Sequence, residues 1–74
     1  MTLMITAERK AELVAQGYYV EDMGETYGED FVGQFRYMHH IDPDIFQDYE
    51  TSDSEDDAWI AANSFDHYQK RASR

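Results

Sequence analysis

The chain has 74 residues, 42% of them hydrophobic, and carries sixteen acids against six bases for a net charge of −10 at neutral pH. That length allows one small domain, residues 1–74, with a thin core. The absence of cysteine excludes a disulfide framework and a zinc–thiolate site, and fits a cytoplasmic setting. The longest apolar runs, such as AWIAA from Ala58 to Ala62, are too short to span a membrane, and MTLMITAERK has no basic start followed by an apolar stretch, so no signal peptide is expected. Extreme acidity can signal disorder, but ten Phe and Tyr and one Trp supply the material for a core.

The first predicted element is a helix over Ala7–Gln16. Thr6 is its N-cap, Glu8 sits in the first turn where the helix dipole favours it, and Gly17 is the C′ residue. Ala7, Ala11 and Val14 fall on one face, which Leu13 widens. YYVEDM, Tyr18 to Met23, is rich in aromatic and β-branched residues and reads as a strand. GETYGED follows as a seven-residue loop with two glycines. DFVGQFRYMHH then shows period two, with Phe31, Gly33, Phe35, Tyr37 and His39 on one face, so the two runs predict an antiparallel hairpin. Pro43 marks the second position of a turn, and IFQDYE, Ile45 to Glu50, is a candidate third strand. A second helix is expected from about Glu55 to Lys70. Ser52 with Glu55, or Ser54 with Asp57, forms a capping box, and Ala58, Ala61, Ala62, Phe65 and Tyr68 make an apolar stripe. The expected fold is therefore α+β: an N-terminal helix, an antiparallel sheet of two to three strands, and a C-terminal helix packed on the sheet.

The charge is concentrated. From Glu21 to Asp57 there are thirteen acids and one base, Arg36, and six of the ten residues in DYETSDSEDD, Asp48 to Asp57, are acids. Acids in the first turn of a helix stabilise it by about 0.3–1 kcal/mol each, which explains Glu55, Asp56 and Asp57 in part. It does not explain Asp42, Asp44, Asp48 and Glu50, or Glu21, Asp22, Glu25, Glu29 and Asp30 in the hairpin. On a strand, Asp44, Asp48 and Glu50 would point to one face, with neighbours two apart spaced by about 6.6 Å. Such a row lies in the range of a phosphate row along a nucleic-acid backbone. Trp59 is about 100° round the helix from Ala58. It either edges a broad apolar face or stands as an aromatic anchor among acids, the kind of residue that dominates interface energetics.

Other chemistries find little support. An EF-hand loop begun at Asp48 would have Asp53 sixth and Trp59 twelfth, and one begun at Asp53 would have Ala58 and Ser64, so neither supplies the required glycine and glutamate. His39 and His40 would face opposite ways on a strand, and no H-x-x-x-H spacing supports zinc. There is no nucleophile elbow and no phosphate-cradling glycine loop, and a chain of this size can hardly enclose a dry catalytic acid. Neither a catalytic residue nor a cofactor is expected.

In length, net charge and the Glu21–Asp57 polyanion the chain resembles the small acidic DNA-mimic inhibitors made by bacteriophages, which include anti-CRISPR, anti-restriction and gyrase-blocking proteins. No motif defines that class, so no site residue is transferred from it. The resemblance implies a stoichiometric inhibitor, acting in the bacterial host cytoplasm, whose carboxylates occupy the basic DNA-binding cleft of a host protein. Gyrase, a CRISPR effector, a restriction enzyme and a polymerase are all possible targets. The residues expected to bind the partner are Asp44, Asp48, Glu50, Asp53, Asp56 and Asp57, with Glu21, Asp22, Glu25, Glu29 and Asp30 as a second row and Trp59, Tyr49 and Phe46 as desolvated anchors. Direct binding to nucleic acid or membrane is not expected, and a homodimer is left open. The alternative is a protein-interaction adaptor or transcription-factor antagonist that does not imitate DNA. A loose divalent-metal binder is a third reading.

Overall fold

A computed structural model describes residues 5–47 and 51–72, with side chains through residue 70. The elements run α1 (Ala7–Gln16), β1 (Tyr18–Asp22), α2 (Met23–Tyr27), a 3-10 turn (Glu29–Phe31), β2 (Phe35–His39) and α3 (Glu55–Ala72). β1 and β2 form a two-stranded antiparallel sheet in which Tyr18 pairs with His39 and Asp22 with Phe35. Both long helices pack on one face of this sheet, giving the α+β arrangement read from the sequence. No helix among the described residues is long and apolar enough to cross a membrane.

The ends of α1 follow directly from its sequence. The Thr6 hydroxyl accepts a hydrogen bond from the Arg9 N–H at 3.1 Å, one of the donors that the first helical turn leaves unpaired. Gly17 ends the helix at φ 114°, where its N–H reaches the carbonyls of Leu13 and Val14. A side chain there would also collide with its surroundings, because a Cβ would sit 2.8 Å from the His39 ring.

The buried face of α1 differs from the expectation. Leu13 is fully buried, whereas Ala7, Ala11 and Val14 face solvent. The helix is turned so that Arg9 and Lys10 lie against α3, where Arg9 bonds Asn63 and Asp66 and Lys10 lies over the Trp59 ring at 5.2 Å. A buried acid on the neighbouring helix thus draws a charged face inward, and that pairing outweighs the burial of three small apolar side chains.

The core is Leu13, Tyr18, Tyr37, Trp59 and Ala62, with Ile5, Val20, Ile45, Ala61 and Phe65 around it. On α3 the buried positions are Ala58, Trp59, Ala62 and Asp66, while Tyr68 is exposed, so the stripe is rotated from the one expected. Ser54 caps α3: its hydroxyl accepts from the Asp57 N–H at 3.1 Å. Ser52 is diverted into pairing with Phe35 through both backbone bonds, at 2.7 and 2.9 Å.

The hairpin is more elaborate than a loop between two strands. Residues 24–30 form α2 and part of the 3-10 turn, and β2 begins only at Phe35 because Gly33, at φ 84°, breaks the extended run. Pro43 stands at the second position of a turn that the Ile45 N–H closes onto the Asp42 carbonyl at 3.1 Å. The segment expected as a third strand, Ile45 to Glu50, meets β2 at one isolated bridge among the described residues, Phe46 to Met38, and Ser52, two residues past its end, bridges Phe35. Its last three residues, Asp48, Tyr49 and Glu50, lie outside the described residues.

Candidate functional site

The sheet has two ends of different character. At one, Asp22, Phe35 and Ser52 lie side by side, and the Thr51 hydroxyl bonds the Gln34 side chain at 2.9 Å. From β1 this end leads into α2 and the 3-10 turn, which carry Glu25, Glu29 and Asp30. From Ser52 it leads into Asp53 and the first turn of α3, which carries Glu55, Asp56 and Asp57. Two acidic segments more than twenty residues apart in the chain are thereby brought to the same end of the molecule. All seven of these acids are exposed. Among the described residues only Glu55 meets a cation, Lys10 at 3.9 Å, and the carboxylates of the other six form no ion pair.

Three of the described cations are paired with carboxylates other than these seven, although Arg36 also reaches the Tyr27 hydroxyl of α2 at 2.6 Å. Arg9 joins Glu12 and Asp66, Lys70 joins Asp66, and Arg36 joins Glu21. Acidic excess at the sheet end is therefore a consequence of where the few bases go, as well as of where the acids lie.

Several expected site residues are reassigned by these contacts. Trp59 is not a surface anchor: it is 4% exposed and belongs to the core, because α3 turns its indole toward α1 and the sheet. Its ring N–H finds no acceptor among the described residues. Glu21 is neutralised by Arg36 at 2.6 Å and lies largely covered. Asp22 is used as the N-cap of α2, accepting from the Gly24 N–H at 3.0 Å. Asp44 and Phe46 are exposed but lie toward the opposite end of the sheet, Phe46 at the Met38 bridge and Asp44 two residues before it, and so do not continue the row of Asp53, Asp56 and Asp57. Asp48, Tyr49 and Glu50 lie outside the described residues.

One polar cluster has no counterpart in the sequence reading. Asp66 is buried, its side chain 6% exposed, and accepts from Arg9 Nη2 at 2.6 Å, Lys70 Nζ at 3.0 Å and the Tyr18 hydroxyl at 3.4 Å. Burial by itself would raise its carboxyl, but the hydrogen bonds and charges of Arg9 and Lys70 outweigh that and hold it below the usual carboxylate range. Burial, with Asp66 adding to it, pushes the Tyr18 hydroxyl up to about 12. Lys70 four residues after Asp66 was a readable helix pair; the tie to Arg9, 57 residues away, was not.

The histidines play local roles. His39 turns inward, edge-on to Tyr18, and its Nδ1 accepts from the Ile41 and Asp42 N–H groups, whereas His40 stacks on Tyr19 at 4.0 Å. No group of three or more His, Asp or Glu among the described residues is placed to hold a metal ion. No family model, curated protein or solved structure matches the chain.

Proposed function

We propose that this chain is a stoichiometric inhibitor whose acidic sheet end takes the place of DNA phosphates in the basic cleft of a bacterial DNA-handling enzyme. One observation carries the reading. Glu25, Glu29 and Asp30 from one segment, and Asp53, Asp56 and Asp57 from another, share one end of the sheet, while Arg9, Arg36 and Lys70 are committed to other carboxylates. These six carboxylates form no ion pair among the described residues, which leaves them to meet the cations of another molecule.

The mechanism is competitive. Lysine and arginine side chains that normally pair with phosphates meet carboxylates instead, and the field of a −10 protein accelerates the encounter, most strongly at low salt. No chemistry is required of the chain; it acts by occupancy. The setting is the cytoplasm of a host bacterium, with a phage-encoded inhibitor as the natural precedent.

The test is affinity capture from a bacterial extract on the immobilised protein, followed by elution with duplex DNA and identification by mass spectrometry. The proposal expects a DNA-binding protein released by DNA at physiological salt, and loss of its DNA binding when this chain is added. A captured partner that DNA fails to displace would favour an adaptor or transcription-factor antagonist. A mobility shift of duplex DNA by this protein alone would overturn the mimicry outright, since a polyanion repels phosphates.

A further inference from the structure

Asp22 and Phe35 are paired directly across the ladder, so a two-residue turn would suffice to join their strands. The chain instead spends residues 23–34 on the reversal. These residues form a knuckle held by its own hydrogen bonds. The Met23 N–H reaches the Gln34 carbonyl at 3.0 Å, the Gly28 N–H the Gly24 carbonyl at 3.1 Å, and the Gln34 N–H the Phe31 carbonyl at 3.1 Å. The two sides are clasped at Gly24, where a Cβ would stand 2.9 Å from the Val32 Cα.

The knuckle contributes little to the core. Met23 is buried, but every residue from Glu25 to Gly33 except Phe31 is exposed. Val32 is 72% exposed and Tyr27 50% exposed. The Tyr27 ring is nonetheless oriented: it lies 5.5 Å from Phe31, and its hydroxyl accepts from Arg36 Nη2 at 2.6 Å. Apolar side chains held out on a self-bonded support lose little freedom on binding. Surface ion pairs are individually weak, so a tight contact needs such groups to exclude water around the charges.

We infer that the 23–34 knuckle is the part of the acidic end that enters the partner, with Val32 and Tyr27 as apolar anchors and Glu25, Glu29 and Asp30 as their rim. The inference rests on the inhibitor reading and adds to it which acidic segment makes the main contact. Charge selects the occupant: a groove with an apolar floor between lysine and arginine walls. A second copy of this chain would set unpaired acids against unpaired acids, and an anionic lipid surface would be repelled in the same way.

The probe is the heparin-eluted protein fraction of a bacterial extract, passed over the immobilised full chain and its variants, with circular dichroism to confirm folding. Retention of the proteins that duplex DNA releases is titrated at low and physiological salt. Val32→Ser with Tyr27→Ala is expected to weaken retention at least tenfold at both salt concentrations. Glu25→Gln with Glu29→Gln and Asp30→Asn is expected to weaken it tenfold, chiefly at low salt. Asp53→Asn with Asp56→Asn and Asp57→Asn is expected to weaken it less than threefold. Val32→Ser alone replaces the double change if Tyr27→Ala unfolds the chain, and is expected to cost at least fivefold. A DNA-releasable partner held equally by folded anchor variants and the unaltered chain overturns the knuckle assignment and leaves the inhibitor reading intact. A loss confined to the Asp53 triple variant does the same. If the unaltered chain retains nothing that DNA releases, both fall together.

Discussion

Replacing Asp66 with Asn removes the charge on which Arg9 and Lys70 converge while keeping nearly the same shape. Breaking a fully buried ion pair by removing one partner costs about 3–5 kcal/mol. Here the full figure does not apply. Lys70 is 59% exposed and swings into water, and Arg9 keeps Asn63 and Glu12. An expected loss of about 2–3 kcal/mol remains, out of a total of roughly 4–11 kcal/mol for a chain of this length. At ~4–8 °C per kcal/mol for a domain this small, the melting temperature should fall by about 10–20 °C. The pH dependence identifies the cause. The Asp66 carboxyl lies below its usual range in the folded state, so its contribution is complete above the unfolded value of about 3.9 and is lost as pH falls through the folded one. Thermal melts by circular dichroism should therefore show a constant gap between the two proteins from pH 7 to about 5, closing in more acidic solution. A gap of less than 2 °C at neutral pH, or one that persists unchanged to about pH 2, would refute the assignment of Asp66 as the charged centre of the core.

Two further outcomes follow from the same contacts. Added salt between about 0.01 and 0.15 M should raise the melting temperature by several degrees, because the Debye length shrinks from ~30 to ~8 Å and screens the exposed acids of the sheet end from one another; a fall would mean that their pairing is internal after all. Trp59→Ala should cost about 3–5 kcal/mol or abolish folding, whereas Trp59→Phe, which removes an indole N–H without an acceptor, should cost less than about 1.5 kcal/mol by chemical denaturation.

Local signals carried much of the architecture. Thr6 and Gly17 bounded α1, the alternation of Phe35, Tyr37 and His39 announced β2, and Ser54 with Asp57 opened α3. Each depends on backbone groups or side chains within a few residues of one another, so spacing alone defines it. The excess of acid over base was equally plain, since it is a count. What only the tertiary structure decided is which charges are spent. Arg9 is tied to an acid 57 residues away, Arg36 to Glu21 across the ladder, and Trp59 goes inward into the core with Leu13 of α1, with the Lys10 ammonium over its ring. The knuckle was likewise hidden, because GETYGED has the composition of a loop and becomes helix only where Asp22 caps Gly24 and Gly24 admits Val32 at close range. Pairing across the fold depends on distance in space, which neither composition nor periodicity encodes. The acids left without partners, and so free to meet another molecule, are visible only once that pairing is known.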